Sequence, residues 1–357
     1  MTQLAPRPRP GGRSPASLLP RNDPIAQLPI VILYPHSRCN CRCVMCDIWR
    51  VTTKDEVDVD AVRRWLPEWE RLGVRRVVLS GGEPLLHSAF PAMCGVLHEA
   101  GIGITLLSTG LLLRRHAADV VRFVDDVVVS LDGPRHVHDR IRNIPRAYEK
   151  LADGVAAVRD TGPSVSVSGR CTVQRDNFRF MRATIQAARE IGLDRISFLA
   201  ADVSSTAFNR PNGWEPERVH EVALDDDDLV ALAEELNALE TEYEAELSSG
   251  FVAESITKLR QRLLWYFSAL RGSGNFHPIE CNAPWVSTVI EVDGTVRPCF
   301  FQPSLGNVHD TGSLSSVLNS PDAIAWRRGL DTHRNEICRR CVCSLALRRS
   351  DDAVSAV

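Results

Sequence analysis

The sequence has no long apolar run, and no stretch reaches the roughly 18 consecutive apolar residues that cross a bilayer. Residues 1–27 are rich in Pro, Arg and Gly and lack the apolar centre of a signal peptide, so they predict a disordered tail. A net charge of −3 leaves no excess of positive charge for nucleic acid or an anionic membrane surface. These absences predict a cytoplasmic protein with small-molecule or peptide partners, no nucleic-acid partner and no membrane partner.

The chain is long enough to bury one large hydrophobic core and a smaller one, because it has 357 residues of which 44% are hydrophobic. It also contains 11 cysteines. In the absence of an export signal, so many cysteines indicate a reducing cytosol, where they serve metal binding or catalysis rather than disulfides.

Four cysteines lie within eight residues, directly after the apolar run 29–34. Cys39, Cys43 and Cys46 have the spacing C-x3-C-x2-C, which lets three thiolates of one short loop reach a common metal centre. Structural zinc sites and ordinary electron-transfer clusters take four protein ligands. Three ligands therefore favour an iron–sulfur cluster with one open iron, although a zinc knuckle that includes Cys41, or simply reduced cysteines, would fit the loop alone.

A second motif follows about forty residues later, where the apolar segment 74–80 leads into Gly81-Gly82-Glu83-Pro84. Glycines at the end of a strand let the backbone approach a ligand closely, and Glu83 offers an acceptor for an ammonium group. Together the two motifs resemble the radical S-adenosylmethionine (SAM) enzymes. That resemblance implies a [4Fe–4S] cluster held by Cys39, Cys43 and Cys46, whose open iron binds SAM.

The segments after the cysteine loop alternate between short apolar stretches and helix-length stretches. They predict strands at 30–34, 74–80, 103–109, 125–131, 164–173 and 195–200, and helices at 57–72, 89–100, 147–160 and 180–191. Six βα units are too few for a closed eight-stranded barrel. The resemblance implies an α/β fold with a partial, TIM-like (β/α)6 barrel over residues 28–222, whereas the alternation alone also fits an open doubly wound sheet.

Polar residues at the ends of the fourth and fifth predicted strands are candidate ligand contacts. The two-residue period of 164–173 places Arg170 on the polar face and Cys171 on the apolar face, and the same period predicts that Ser130 and Asp132 point inward. The resemblance implies that Ser130 and Arg170 hold the carboxylate and ribose of SAM, although polar side chains that merely fill the barrel would show the same pattern.

Other cofactor contacts and a base are expected around the same strand ends. Thr109 is a weaker candidate for SAM binding. Met45 occupies a position that is usually aromatic in the family and packs near the adenine, with Trp49 as an alternative. Asp132 and His138 are the candidate bases for the substrate.

Beyond the barrel, residues 223–275 predict a linker of two amphipathic helices, and residues 276–347 a small Cys-rich α+β domain. Asp293-Gly294 is a strong hairpin-turn signal. Cysteines on either side of the hairpin and a later C-x2-C could bind zinc or a cluster. The pattern C-x12-G-x4-C resembles the twitch, or shortened SPASM, domain, which implies an auxiliary [4Fe–4S] cluster with Cys343 either unused or replacing one ligand of the set Cys281, Cys299, Cys338 and Cys341.

The resemblance further implies a reaction in which one electron, delivered by a flavodoxin- or ferredoxin-type donor, cleaves SAM to a 5′-deoxyadenosyl radical that removes a substrate hydrogen. We expect a sugar, aminocyclitol or nucleoside of specialised metabolism, because the short tail leaves no room for a peptide leader-binding domain. Oxidation of a secondary alcohol is favoured, since the auxiliary cluster can accept an electron and Cys171 faces away from the lumen. The alternatives are decarboxylation, epimerisation with Cys343 or Cys41 as hydrogen donor, peptide modification, or a zinc-stabilised binding protein without catalysis.

Overall fold

The computed structural model describes residues 17–349. Its centre is a nine-stranded sheet in the order β6-β5-β4-β3-β2-β1-β7-β8-β9. The strands are β1 Ile30–Leu33, β2 Arg76–Leu79, β3 Gly103–Ser108, β4 Asp126–Ser130, β5 Ser166–Val173, β6 Ile196–Ala200, β7 Ser287–Ile290, β8 Thr295–Arg297 and β9 Gly306–Asn307.

Helices connect the parallel strands of the first half and surround the hairpin of the second. In the described residues they are α1 Val59–Arg71, α2 Phe90–Glu99, α3 Leu113–Phe123, α4 Arg135–Arg142, α5 Ala147–Thr161, α6 Met181–Glu190, α7 Pro216–Val222, α8 Asp226–Glu242, α9 Glu244–Ser249, α10 Ile256–Leu259, α11 Trp265–Leu270, α12 Ala283–Val286, α13 Val308–Thr311, α14 Leu314–Leu318, α15 Pro321–Gly329 and α16 Glu336–Arg339. No helix among residues 17–349 has the length and hydropathy needed to cross a membrane.

Strands β1 to β6 are parallel and lie beside one another in sequence order. A doubly wound sheet reverses its strand order at a switch point, so this unbroken order confirms the partial (β/α)6 barrel and excludes the alternative. The alternation predicted for the fifth strand is also confirmed: Arg170 and Thr172 are partly exposed, whereas Cys171 and Val173 are buried. All parallel strands therefore present their carboxyl ends at one edge, where barrel active sites lie.

The free edge of β6 is covered by the linker. The backbone N–H of Ile196 donates to Phe251, and that of Ala253 donates back to Ile196. The Glu254 carboxylate then accepts a hydrogen bond from the Phe198 N–H at 3.0 Å. The linker therefore satisfies backbone groups that an open barrel would otherwise leave unpaired at its edge.

The hairpin of the small Cys-rich C-terminal domain joins the barrel sheet, a pairing that the sequence did not predict. Strand β7 pairs in parallel with β1, from Ile30 opposite Ser287 to Leu33 opposite Ile290. Strand β8 then returns antiparallel through the predicted Asp293-Gly294 turn. The strand that leads into the first cysteine loop is thus hydrogen-bonded to the strand that leads toward the second cysteine set.

The expected disordered tail is wrong for residues 17–27, while residues 1–16 lie outside the described part of the chain. Ile25 is buried, and its N–H donates to the Asn319 side chain at 2.7 Å. Asp23 accepts a hydrogen bond from Arg327, whose side chain is buried. These contacts attach the segment to the C-terminal helices.

Candidate active site

A cavity of about 260 Å³ lies at the carboxyl ends of the parallel strands. One wall is the cysteine loop between β1 and α1, and another is the glycine turn after β2. The remaining lining comes from the ends of β3 to β6, the loop after β6 and two short segments of the C-terminal region. The cavity therefore lies where the first and second cysteine sets meet the barrel.

Three of the four cysteines in the first loop border this cavity: Cys39, Cys43 and Cys46. Helix α4 holds the loop in place, because the N–H groups of Arg42 and Val44 donate to the carbonyls that end that helix. Cys41 is 1% exposed and is not part of the lining, so it lies outside any ligand set in the cavity.

The thiols of this loop differ in their surroundings. A hydrogen bond from Cys41, helped by the nearby Arg142 guanidinium, lowers the pKa of Cys43 to about 7. Burial raises the pKa of Cys46 to about 12 and also raises the pKa of Cys39. A buried thiol loses its proton readily only beside a metal or another cation. Among residues 17–349 no three His, Cys, Asp or Glu side chains converge as a single metal ion requires, whereas a cluster spreads its thiolates over separate irons.

The two glycines of the turn are required by the packing of the loop against it. Gly81 has φ +95°, and a Cβ there would lie 2.7 Å from the Tyr34 ring. A Cβ on Gly82 would lie 2.1 Å from the carbonyl oxygen of Arg38, which is backbone and has little freedom to move. Both glycines border the cavity, so the turn presents bare backbone to it.

Glu83 does not border the cavity, which corrects its expected role as an acceptor for the ammonium group of SAM. Its carboxylate is fully buried and accepts hydrogen bonds from Leu85 N–H, Ser108 Oγ, and both the N–H and Oγ1 of Thr109. Burial raises the pKa of Glu83, and these donors oppose that shift. Glu83 therefore positions the turn and the end of β3, including Thr109, which does border the cavity.

Asp132 and His138 are also placed behind the cavity wall, so the expectation that either is a substrate base is wrong in this geometry. Both are 0% exposed. Asp132 pairs with Arg142 at 2.5 Å and accepts from the Thr172 N–H, while His138 Nδ1 accepts from the Asp132 N–H. Strand β4 ends at Ser130, and the two-residue period that predicted an inward Asp132 no longer applies beyond it.

Arg142 contacts both Asp132 and the cysteine loop, and so links the two. Its Nη1 lies 3.4 Å from Cys43 Sγ, and the Arg142 side chain borders the cavity. Burial acts to lower the pKa of Arg142, but the Asp132 carboxylate together with Cys43 and Cys41 outweighs it, so that pKa is raised. A permanent cation therefore lies beside the cysteine loop.

The two polar residues expected to contact SAM do meet in the cavity. Ser130 and Arg170 are register partners on β4 and β5, and both belong to its lining. The Nε of Arg170 is buried and has no hydrogen-bond partner among residues 17–349. Since buried polar groups are nearly always paired, this free donor fits a polar or anionic group of a ligand. Met45, 9% exposed, lines the apolar part of the same space.

The second cysteine set is linked to the cavity through its neighbours in the chain, since Cys299 precedes the lining residue Phe300 and Cys341 precedes the lining residue Val342. Cys281, Cys299 and Cys341 share one small apolar cluster, and the charge of Cys338 acts on Cys299. Burial raises the pKa of Cys299 to about 12. These four side chains could hold a fully ligated cluster, whereas Cys343 is exposed and borders the cavity instead.

Several side chains of the lining were not predicted from the sequence. Phe300 and Phe301 follow Cys299 directly, and Val342 precedes Cys343. The available signal was their position in the chain beside the predicted cluster ligands. The loop after β6 contributes Asp202, which pairs with the buried Arg210 and is therefore not a free carboxylate.

Comparisons with known proteins agree with this arrangement. The family model of the radical SAM superfamily matches residues 33–179, and that of the SPASM iron–sulfur cluster-binding domain matches residues 281–342. A PqqA peptide cyclase of Ruegeria pomeroyi is 25% identical over 345 residues, which cover 94% of this chain and 83% of that protein. The Fe-coproporphyrin III synthase of Methanosarcina barkeri is 26% identical, but the match covers 48% of this chain and only 43% of the synthase.

Solved structures show the same fold at low identity. SuiB of Streptococcus suis bound to S-adenosylmethionine aligns with a TM-score of 0.60 and 15% identity over 89% of this chain and 73% of SuiB. The protein anSMEcpe with bound AdoMet aligns with a TM-score of 0.62 and 17% identity over 90% of this chain and 91% of its own. The chain belongs to the radical SAM superfamily as a member with a SPASM-type domain, and its cofactors are SAM, a SAM-binding [4Fe–4S] cluster and an auxiliary iron–sulfur cluster.

Proposed function

We propose that the chain oxidises a secondary alcohol of a sugar, aminocyclitol or nucleoside to a ketone. The observation that carries this proposal is that one cavity is bordered by the first cysteine set and by residues adjacent to the second. A substrate in that cavity lies between the site where hydrogen removal begins and a site able to accept an electron.

The resident cofactors supply one-electron chemistry that removes a hydrogen atom from the substrate carbon. In the proposed assignment Cys39, Cys43 and Cys46 hold the first cluster, and Cys281, Cys299, Cys338 and Cys341 hold the auxiliary cluster. Ser130 and Arg170 bind polar groups of SAM, and Gly81 and Gly82 let it approach. Met45 and Phe301, both at most 9% exposed, exclude water from the apolar side.

Oxidation to a ketone also requires loss of the hydroxyl proton and one further electron. An auxiliary cluster held by Cys281, Cys299, Cys338 and Cys341 would accept that electron. Among the lining residues the arginines offer only donors and Asp202 is paired with Arg210, which leaves Cys343 Sγ, in its thiolate form, as the side chain suited to accept the proton.

Epimerisation is a second candidate, because a thiol can instead return a hydrogen atom to the opposite face of the carbon. Cys343 is exposed and lines the cavity, whereas Cys41 and Cys171 are each 1% exposed and do not. Cys343 is therefore the thiol that supports this outcome. In that case the substrate is neither oxidised nor reduced overall, and the thiyl radical left on Cys343 would be returned to the thiol by one electron from the external donor and one proton from solvent.

The experiment uses anaerobically reconstituted protein with SAM, a reductant and a panel of deuterated sugars, aminocyclitols and nucleosides. We expect deuterium transfer into 5′-deoxyadenosine from one substrate position and a product lighter by two hydrogens. Cys43→Ala should abolish formation of the nucleoside. If no substrate of the panel transfers deuterium but a peptide does, the small-molecule proposal is wrong.

Repeating the reaction in deuterated water separates the two outcomes. Oxidation leaves no solvent deuterium on the reacting carbon, and Cys343→Ser slows it. Epimerisation places one solvent deuterium on that carbon, and Cys343→Ser stops it while hydrogen removal continues. Cys94→Ser is the matched control, since Cys94 is buried in α2 and outside the cavity.

A further inference from the structure

A second cavity, of about 540 Å³, lies on the other face of the cysteine loop. Its lining includes Arg38, Arg42 and Trp49 from the loop and its surroundings, and the turn 143–145 that follows α4. Cys39 borders both this cavity and the active-site cavity. The cysteine loop is therefore a thin partition with the substrate side on one face and this second cavity on the other.

The second cavity is positively charged although the whole chain has a net charge of −3. Its lining contains two arginines and no carboxylate. Arg38 and Arg42 are exposed, and within residues 17–349 neither side chain forms an ion pair or a hydrogen bond. Most other arginines of the barrel are paired with acids, so two free guanidinium groups beside the loop form a localised basic patch.

We infer that this patch, made of Arg38 and Arg42 beside the outer face of the cysteine loop, is the docking surface for a small acidic electron-donor protein of the flavodoxin or ferredoxin type. The inference rests on the proposed cluster at Cys39, Cys43 and Cys46. In the transfer, the reduced donor loses one electron and the oxidised cluster gains it, with no bond made or broken between the proteins. The active-site face is taken by SAM and substrate, so the outer face gives the donor its shortest approach.

Charge complementarity favours an acidic donor protein as the partner of this patch. An acidic surface opposite two unpaired guanidinium groups accelerates association by long-range attraction that salt screens. Paired arginines would give little of this attraction, because their charge is already neutralised. The contact is therefore expected to be weak, transient and strongly dependent on ionic strength.

The test compares wild type, the double variant Arg38→Gln/Arg42→Gln and the control Arg75→Gln. Arg75 is exposed just before β2, at the opposite edge of the sheet from the cysteine loop. Reconstituted proteins are assayed for binding of an acidic flavodoxin at about 25 mM and about 300 mM NaCl. Each protein is also assayed for SAM cleavage driven by reduced flavodoxin and, separately, by dithionite.

We expect the double variant to bind flavodoxin at least about tenfold more weakly at low salt. The ratio of its flavodoxin-driven rate to its dithionite-driven rate should fall by a similar factor, while Arg75→Gln matches wild type. Unchanged binding and an unchanged ratio in the double variant overturn the inference, as does binding that salt does not weaken. Competition by inorganic phosphate without any flavodoxin binding overturns it too.

The failure of the proposed function gives a different result. If dithionite supports no SAM cleavage in any protein, the radical function fails, and the binding assay still decides whether Arg38 and Arg42 dock the donor. If dithionite works and the double variant behaves as wild type, only the docking surface is wrong.

Discussion

At the scale of single residues, the site depends on buried groups that contact the cavity wall rather than the cavity itself. Asp132 pairs with Arg142, which in turn reaches Cys43. Glu83 holds the end of β3 in the same way through Thr109. Each of these carboxylates was expected to face a ligand, and each instead fixes the position of a residue that does.

Replacing Asp132 by Asn should destabilise the apoprotein by about 3 kcal/mol, because it leaves the buried Arg142 charge without its partner. Urea unfolding measures this loss. Asp176→Asn is the matched control, since Asp176 pairs with Arg140 of the same helix at 3.7 Å in an exposed position, and it should cost less than about 1 kcal/mol. A variant at Asp132 that keeps full stability and iron but loses turnover would instead restore its role as a base.

Gly82→Ala should lower iron retention and SAM cleavage at least about tenfold, because overpacking costs about 1–3 kcal/mol and the new Cβ meets backbone 2.1 Å away. The measurements are iron per chain and the rate of 5′-deoxyadenosine formation. Gly95→Ala is the control: its Cβ would lie 3.8 Å from Phe123, and alanine favours the helix by up to about 1 kcal/mol. Equal behaviour of the two variants would contradict the steric argument.

The sequence predicted which way a side chain points only where the residue lies inside a regular strand. Alternation along β5 placed Arg170 and Cys171 on their correct faces. The same rule failed for Asp132, because the strand had already ended. No local pattern could place Cys343 in the cavity, since its position depends on pairing between segments about 250 residues apart.

At the scale of elements, the sequence predicted the strands well because each is a short apolar run followed by a turn. It did not identify helices α3 and α4, which are rich in Arg and His, nor the pairing of β7 with β1. Pairing between distant strands depends on the packing of the whole sheet rather than on local preference. The same holds for the segment Phe251–Glu254 that covers the edge of β6.

Glu254→Gln should stabilise the protein increasingly as the pH rises. Burial raises the pKa of Glu254 above its ordinary value of 4.5. Folding therefore favours the protonated form, and the wild type loses stability as the pH rises from that ordinary value through the raised one. The side chain of Gln can still accept the hydrogen bond from the Phe198 N–H, but it brings no charge into the buried site.

Melting temperatures of the two proteins, measured between pH 5 and pH 8, check the prediction. The advantage of the Gln variant should be smallest at the acidic end. A difference that is constant across this range, or that shrinks toward pH 8, would mean that Glu254 does not titrate as its burial implies.

At the scale of the whole molecule, the two cysteine sets are separate in sequence, but one cavity is bordered by the first set and by residues adjacent to the second. The barrel and the C-terminal hairpin form one nine-stranded sheet, and the linker covers its β6 edge. Hydrogen removal and electron acceptance are therefore proposed to occur within a single enclosure, which no individual motif could indicate.

Cysteine variants should divide into two classes by iron content. Wild type, Cys41→Ala and Cys343→Ala should each hold about eight irons per chain, whereas Cys43→Ala and Cys341→Ala should each hold about four. The reason is that Cys41 and Cys343 lie outside the proposed ligand sets. Iron and sulfide analysis with electron paramagnetic resonance checks this, and stoichiometric zinc without sulfide would contradict it.

The pairing of β1 with β7 also affects how the protein is made. Strand β1 leaves the ribosome early, but its parallel neighbour follows roughly 250 residues later, a delay on the order of tens of seconds at ordinary rates of synthesis. During that interval the nascent chain exposes one side of its central strand and four reduced thiols just beyond it. We therefore expect iron–sulfur delivery to follow completion of the sheet, because until β7 pairs with β1 the cysteine loop lies beside an unpaired strand edge.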